Sequence, residues 1–375
     1  MNILILSCNT GQGHNSCAEA LRETFAAHGD SCEVRDALAF ISEEASRFMC
    51  SWFVRVYRHA PRAFSSGYTF CEQHPNVFAE DSAAYHMLTS GTERLHDFLC
   101  GQNYDAVVCT HVFSALMLTD VRKKYNLLLP SAFVATDYTC SPGMEQSDLD
   151  IYFIPDASLA EEFAHCGIAR EKLTASGLPV RRAFYNRTDK AAARQRCGVD
   201  KTARHMLVMC GSMGCGPIHE IAERLHRLSD SSIFVTIICG TNTRLRRHLL
   251  RATAGDERIK ILGYTDQVPL LMDSADLYLT KPGGISVTEA AVKGLPMVLI
   301  NAVAGCETYN MDFFLAAGAA VTAESAEELT ERCTVLLKDG AAREVMSRKA
   351  QSLFEGNAAE KIYGVLSGGG INAQK

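Results

Sequence analysis

The sequence predicts an α/β fold made of two doubly wound parallel sheets, one after the other along the chain. Short apolar runs alternate with helical stretches, a pattern typical of parallel strands that helices cover on both faces. The pattern starts at the N-terminus and begins again near residue 206. A length of 375 residues suits two domains. We therefore expect two Rossmann-like halves whose strand carboxyl ends face a common cleft, where ligands bind.

The first half opens with an apolar strand at Ile3 to Ser7, which is too short and lacks the basic flank of a signal peptide. A helix is predicted from Asn15 to His28, because its apolar residues share one stripe and Gly29 follows as a stop. Further strands are predicted at 106–110, 132–136 and 151–154.

The second half repeats this alternation and has no shared motif with the first. Its strands are predicted at 206–210, 233–239, 259–262, 277–280 and 297–300. The alanine-rich polar stretch near Ala183 to Ala193 is interpreted as the linker. One final helix is predicted from Ala341 to Leu366. The expected division is 1–185, 186–345, a C-terminal helix at 346–366 that packs back on the first domain, and a flexible tail at 367–375.

Composition excludes several classes of protein. The net charge of −6 provides no global basic field for nucleic acid. The 15 cysteines are scattered without a C-x-x-C pair, so we expect reduced, mostly buried thiols in a cytoplasmic protein and no metal site. No apolar run reaches the roughly 18 to 20 residues that span a bilayer.

The loop after the first strand carries His14 at a predicted helix start. Gly11 and Gly13 should allow a sharp turn and close backbone approach to a ligand, with helix N–H groups available to an anion. The dinucleotide and Walker glycine patterns both fail at this loop. His14 is a candidate general base, and the alternative is a capping or packing histidine.

Two later loops of the first half add polar residues at strand ends. His111 follows the second predicted strand, and we place it on the acceptor side with Gly11 and Gly13. Asp137 follows the third and could orient a histidine or accept a proton. An N-cap carboxylate is the alternative for Asp137.

The second half carries two glycine turns between a strand and a helix. Gly211, Ser212, Met213 and Gly214 have the make-up of a phosphate-cradling turn. Gly283 and Gly284 could bind a diphosphate through N–H groups, and Glu289 in the next helix could bind two ribose hydroxyls. Backbone donors and a helix dipole can stabilise a leaving diphosphate without a metal.

Further candidates for the same ligand follow along the chain. Glu307 and Asn310 lie three residues apart at a predicted helix start and suit sugar hydroxyls, with ordinary helix capping as the alternative. Tyr264, Ser286 and Arg181 complete the predicted donor-binding set.

Together these motifs resemble a known family in their order along the chain. Thr10-Gly-Gln-Gly-His14, Ala135-Thr-Asp137 and Ser176-Gly-Leu-Pro-Val-Arg181 resemble the plant monogalactosyldiacylglycerol synthases and the bacterial processive diacylglycerol glucosyltransferases. Lys281-Pro-Gly-Gly-Ile-Ser-Val-Thr-Glu289 with Gly294-Leu-Pro296 resembles the donor motif of a wider group that includes the lipid-linked peptidoglycan N-acetylglucosaminyltransferase. The resemblance runs from about residue 3 to about residue 355.

This resemblance implies a GT-B type fold and an inverting hexosyltransferase that uses a UDP-sugar and no cofactor. It implies a lipid acceptor, diacylglycerol first among them, bound by the N-terminal domain. It makes His14 the base, Glu289 the ribose ligand, Gly283 and Gly284 the diphosphate ligands, and Glu307 and Asn310 the sugar ligands. Cys306 stands where the family often has glutamine, so the resemblance does not specify the hexose.

A basic and aromatic segment suggests contact with an anionic membrane surface. No acidic residue occurs from Ala45 to Cys71. The residues expected at the membrane are Arg47, Trp52, Phe53, Arg55 and Arg58. A helix packed on the sheet with solvated arginines is the alternative. We expect a peripheral protein on the inner face of the cell membrane.

Two other functions remain open on the sequence alone. One is a UDP-N-acetylglucosamine 2-epimerase, which would need acidic side chains for the C2 proton and no lipid-facing surface. The other is a nucleotide-sugar-binding module without turnover.

Overall fold

The computed structural model describes residues 1–211, 214, 216–228, 230–300 and 305–368, with the backbone alone at Arg58. The chain divides into two compact units. The first comprises the described residues of Met1–Arg182, Val303–Tyr309 and Gly356–Lys375, and the second those of Ala183–Ala302 and Asn310–Glu355.

The first unit is built on six parallel strands in the order β2-β1-β3-β4-β5-β6. The strands are β1 Asn2–Ser7, β2 Ser31–Asp36, β3 Ala106–Cys109, β4 Ser131–Val134, β5 Ile151–Ile154 and β6 Leu173–Ala175. The α-helices up to residue 165 are α1 Gln12–Ala27, α2 Glu43–His59, α3 Pro61–Gln73, α4 Ala83–Leu88, α5 Thr92–Cys100, α6 Val112–Tyr125 and α7 Ala160–His165. Ile3 to Leu6 of β1 are fully buried, and each such side chain stabilises the fold by about 1.5–3 kcal/mol.

The second unit contains a second six-stranded parallel sheet in the order β12-β11-β10-β7-β8-β9. Its strands are β7 Arg204–Met209, β8 Ile233–Ile238, β9 Ile259–Leu262, β10 Leu277–Thr280, β11 Met297–Leu299 and β12 Ala320–Thr322. The α-helices that follow along the chain are α8 Arg182–Tyr185, α9 Lys190–Cys197, α10 Ile218–Arg227, α11 Thr243–Ala252, α12 Val268–Ser274, α13 Gly284–Val292, α14 Cys306–Ala316, α15 Ala326–Lys338, α16 Gly340–Ser352 and α17 Ala358–Ser367. Of these, α17 belongs to the first unit.

The sequence missed the edge strands β2, β6 and β12. An edge strand need not be apolar throughout, and none of the residues of β2 is fully buried: Ser31 and Arg35 are exposed and the other four are partly buried. The first helix also begins at Gln12 rather than Asn15.

The prediction of a single helix at the C-terminus is wrong. It is two helices, α16 and α17, and Gly356 between them has a φ of +84°, which a helix cannot continue through. The stretch predicted as linker is also more ordered than expected, because it holds α9, which Asp189 caps and in which Ala193 is buried.

None of the helices in the described ranges combines the length and apolarity needed to cross a bilayer. Within those ranges no cysteine takes part in a disulfide bond.

Candidate active site

In the first unit, three strand ends bring the predicted catalytic residues to one edge of the sheet. β1 ends at Ser7 and leads into α1, which carries His14. The neighbouring strands β3 and β4 end just before Thr110 and Thr136. Because parallel strands end at the same edge, residues far apart in sequence become neighbours there.

His14 has one ring nitrogen held by the backbone. Its Nδ1 lies 2.8 Å from the carbonyl oxygen of Thr110 and 3.0 Å from the hydroxyl oxygen of Thr136. A carbonyl only accepts, so Nδ1 carries the proton and donates it to Thr110. The neutral ring therefore keeps its lone pair on Nε2, which is the atom that a general base needs.

Two opposing influences set the basicity of His14. Burial lowers its pKa below the ordinary value, and the charge of Asp137 and the bond to the Thr110 carbonyl raise it in part. His14 is therefore neutral at pH 7. Asp137 acts on His14 through its negative charge, and it also accepts a long hydrogen bond from the Thr136 hydroxyl at 3.5 Å.

His111 has a role that the sequence did not predict. It is the N-cap of α6, where its Nδ1 accepts from the backbone N–H of Phe113 at 3.0 Å. Its Nε2 therefore carries the proton and donates to the Thr10 hydroxyl at 3.1 Å. Burial lowers the pKa of His111 well below its usual value, and the nearby His14 lowers it further. His111 is thus a neutral capping residue whose ring lies 4.4 Å from that of His14, centroid to centroid.

The prediction of a sharp glycine turn before α1 is wrong. Gly11 is extended, with φ of −164° and ψ of 158°, and Gly13 already lies inside the helix. A Cβ added at Gly11 would point into open space. What the loop provides is a helix start with no side-chain cap and no acidic residue in its first turn, which leaves N–H groups for a ligand.

In the second unit, the turn after β7 requires its glycines. Gly211 and Gly214 have φ of +67° and +56°, and the N–H of Gly214 donates to the carbonyl of Gly211 at 3.2 Å. A Cβ at Gly214 would lie 2.7 Å from the carbonyl oxygen of Cys239. A side chain therefore fits at neither position. Ser212 and Met213, also predicted to bind the donor, lie outside the described residues.

Lys281 is a candidate that sequence reasoning did not assign. It follows β10 directly, and its side chain lies over Gly211, whose added Cβ would be 2.8 Å from Cε and 3.8 Å from Nζ. A Cβ at Gly283 would be 3.9 Å from the same Nζ. The Lys281 ammonium group therefore lies close to both glycine turns. The signal was present in the sequence as a lysine immediately before Pro-Gly-Gly at a strand end.

The start of α13 has the features of an anion site. Gly283 is the N-cap, with no side-chain cap bond, and the first turn holds no acidic residue. Glu289 lies in the next turn and is 8% exposed. Ser286 bonds to the hydroxyl of Tyr278 at 2.8 Å, so it braces the helix against β10.

Glu307 and Asn310 are both held by other residues. Asn310 is fully buried, and its amide donates to the carbonyl oxygen of Pro282 at 3.0 Å, so it braces the turn before Gly283. Its part as a direct sugar ligand stays a prediction. Glu307 is 5% exposed and accepts from the hydroxyl of Tyr57 at 2.9 Å.

The remaining two donor candidates lie in different units. Tyr264 follows β9 at the carboxyl edge of the second sheet, and its side chain is 77% exposed. Arg181 lies in the first unit, where its charge is among the influences that lower the pKa of Glu19.

The basic aromatic segment forms the helices α2 and α3. Phe48, Trp52 and Arg55 are exposed along α2 at spacings that share one face. Arg47 is also exposed, but Glu44 pairs with it at 3.2 Å. Phe53, also predicted at the membrane, is half-buried, with its ring near those of Phe64 and Phe113. The Arg58 side chain lies outside the described part of the chain.

One group of side chains in the described residues could hold a metal ion. His219 and Glu223 on α10 and His248 on α11 have ligand atoms within 4.8 Å of one another. The set is at the surface, with His248 52% exposed. Two imidazoles and a carboxylate suit a zinc-like ion.

A polar cavity of about 310 Å³ lies at the opposite end of the second sheet, before β10 and β11. Its buried Lys293 is neutralised by Asp273 at 2.8 Å and bonds to the carbonyl of Asn186. This pair secures the start of the second unit.

Comparison with known proteins identifies both units. Residues 14–180 match the family model for monogalactosyldiacylglycerol (MGDG) synthase, and residues 218–353 match the model for glycosyl transferases group 1. The chain belongs to the glycosyltransferases. The resemblance inferred from the sequence motifs is therefore confirmed.

The glycosyltransferase is similar to known proteins over nearly its whole length. It is 27% identical over 369 residues to a processive diacylglycerol beta-glucosyltransferase of Bacillus pumilus, which covers 96% of this chain and 93% of that protein.

Two solved structures share its fold. MurG of Acinetobacter baumannii has a TM-score of 0.67 at 14% identity, covering 98% of this chain and 99% of that chain. A UDP-GlcNAc 2-epimerase of Neisseria meningitidis has a TM-score of 0.62 at 13% identity, covering 98% and 100%. The GT-B type fold that the motifs implied is confirmed.

Proposed function

We propose that this glycosyltransferase transfers a hexose from a UDP-sugar to a hydroxyl group of a membrane lipid, diacylglycerol first among candidates. The names of its relatives support this acceptor. The matched family model is named for monogalactosyldiacylglycerol synthase, and the Bacillus enzyme is named a diacylglycerol glucosyltransferase. The observation that carries the proposal is the orientation of His14, which has its proton on Nδ1 and its basic lone pair on Nε2.

The reaction is a single displacement with inversion. Nε2 of His14 takes the proton from the acceptor hydroxyl as that oxygen bonds to the anomeric carbon. The bond from this carbon to the β-phosphate oxygen breaks on the opposite face, and UDP leaves with the electron pair. Asp137 stabilises the imidazolium that forms, because its negative charge raises the pKa of His14.

The second unit supplies charge stabilisation for the leaving group. The uncapped start of α13 presents backbone N–H groups, and the Lys281 ammonium lies beside both glycine turns. Preorganised donors of this kind stabilise a developing diphosphate charge without further rearrangement. In this proposal Glu289, one turn further along the helix, binds the ribose hydroxyls.

Membrane contact belongs to the same proposal. The exposed Phe48, Trp52 and Arg55 along α2 combine apolar area with positive charge on one helix face. Such a face binds an anionic bilayer surface without crossing it. We propose that the enzyme meets its lipid acceptor there, as a peripheral protein on the inner face of the cell membrane.

The test is a panel of UDP-hexoses offered with diacylglycerol vesicles, followed by mass spectrometry of the lipids. A lipid heavier by one hexose supports the proposal and names the sugar. Release of UDP with no lipid product would direct the search to other acceptors. An epimerised sugar without transfer would favour the epimerase whose fold this chain shares, and binding of UDP without turnover would favour a binding module.

A further inference from the structure

The turn at the start of α14 is held by the surface helices α2 and α3. We propose that Tyr57 of α2 is a positioning residue that presents Glu307 to the donor sugar and so connects the lipid-facing helices to sugar recognition. This inference rests on the proposed function, in which Glu307 contacts the hexose.

The direct link is a hydrogen bond across 250 positions of sequence. The Tyr57 hydroxyl donates to Oε1 of Glu307 at 2.9 Å. Glu307 is 5% exposed, so its carboxylate has little water to replace that donor. Removing a donor from a buried carboxylate is costly, so this bond holds the orientation of the carboxylate.

Contacts on either side of Glu307 hold the turn in place. Gly305 has a φ of +56°, and a Cβ there would lie 2.5 Å from the ring of Tyr68 on α3, so this ring is pressed against the turn. Desolvation raises the pKa of Tyr309, and a hydrogen bond between Tyr309 and Glu72, also on α3, raises it further. Three residues of α2 and α3 thus contact three residues at the start of α14.

The division of the chain agrees with these contacts. The described residues up to Tyr309 group with the first unit, whereas Asn310 and the rest of α14 group with the second. The turn that carries Glu307 is therefore built against the helices that also expose Trp52 and Arg55. A change in those helices reaches Glu307 through Tyr57.

The test is a double-mutant cycle on binding, which needs no transfer activity. UDP and UDP-glucose are titrated by calorimetry into the wild type, Tyr57→Phe, Glu307→Gln and the double variant. We expect all four to bind UDP equally. UDP-glucose affinity should fall about tenfold in Tyr57→Phe, and the double variant should be no weaker than Glu307→Gln alone.

Tyr104→Phe is the matched control, because Tyr104 also donates to a glutamate, Glu33, within the first unit. It should leave UDP-glucose affinity unchanged. Tyr57→Phe keeps the ring that packs 5.5 Å from Phe64, so it should unfold at a temperature close to that of the control. Additive losses in the double variant, equal losses for UDP and UDP-glucose, or unchanged UDP-glucose affinity in Tyr57→Phe would each overturn the positioning role.

The connection to the lipid surface is tested by repeating the UDP-glucose titration with anionic phospholipid vesicles. We expect vesicles to tighten binding about threefold in the wild type and to have no effect in Tyr57→Phe, since coupling between two sites is reciprocal. The same vesicle effect in both proteins, or none in the wild type, would overturn the connection. If coupling is found but no lipid is glycosylated, the proposed function fails and the positioning of Glu307 stands.

Discussion

The Nδ1 atom of His14 lies 2.8 Å from the carbonyl oxygen of Thr110, which directs the proton to that nitrogen and the lone pair to Nε2. The two residues are 96 positions apart and meet because α1 starts beside the end of β3. The contact turns a histidine at a helix start into a base of defined tautomer.

Replacing His14 by alanine should lower turnover by about 10²–10⁴-fold, since a positioned general base contributes that much. UDP affinity should be unchanged, because the proposed diphosphate ligands lie in the second unit. Steady-state kinetics with calorimetry of UDP binding measures both quantities. His86→Ala, an exposed histidine on α4, is the control. Equal loss of turnover and UDP binding would contradict the assignment of the base.

Asp137→Asn should move the acid limb of kcat/KM to lower pH. The carboxylate favours the protonated imidazole, so its removal lowers the pKa of His14 further. Activity that requires neutral His14 is lost as pH falls through that pKa, and a lower pKa moves the loss to lower pH. Turnover at neutral pH should also fall, because the base is weaker. A limb that stays in place would show that Asp137 acts otherwise.

Lys281→Met should weaken UDP binding by about 10- to 100-fold, as expected for loss of a charge-assisted contact of about 1.5–3 kcal/mol. Calorimetric titration of UDP into the two proteins measures the difference. Lys338→Met, which removes an exposed lysine from α15, is the control and should bind UDP as the wild type does. An unchanged affinity in Lys281→Met would remove Lys281 from the diphosphate site.

Arg55→Glu should weaken binding to anionic vesicles by roughly 30-fold, since each basic residue near such a surface contributes about 1 kcal/mol and the change reverses one charge. Trp52→Ala should also weaken it, through lost apolar area, and Arg55→Glu with Arg58→Glu should weaken it most. Co-sedimentation measures the bound fraction. Arg251→Glu, at an exposed arginine of α11, makes the same change in net charge and should have little effect. Identical co-sedimentation of all variants would exclude this face as the membrane contact.

Treatment with a chelator should leave hexose transfer unchanged, because helix N–H groups and Lys281 supply the positive charge at the diphosphate. Turnover is compared before and after EDTA and after adding back zinc or magnesium. His248→Ala tests the surface set of His219, Glu223 and His248 separately. A loss with EDTA that metal restores in the wild type and not in His248→Ala would assign that set a role in activity.

The sequence by itself determined the class of fold and most of the sheet interior. Buried parallel strands such as β5 and β10 are continuous apolar runs, and their predicted bounds agree with the structure. The motif order was enough to indicate a glycosyltransferase, because strand-end loops carry the chemistry of such folds. Edge strands such as β2 escaped prediction because one half-exposed strand has no distinctive pattern.

Only the tertiary structure decided what the individual site residues do. His111 and His14 follow similar strands, yet one caps a helix and the other keeps a basic nitrogen. Lys281 joins the two glycine turns, and Tyr57 reaches Glu307, through contacts that no local pattern encodes. The physical reason is that local periodicity sets which face of an element is buried, whereas protonation and hydrogen-bond partners depend on residues distant in sequence that the folded sheet brings within 3 Å or so.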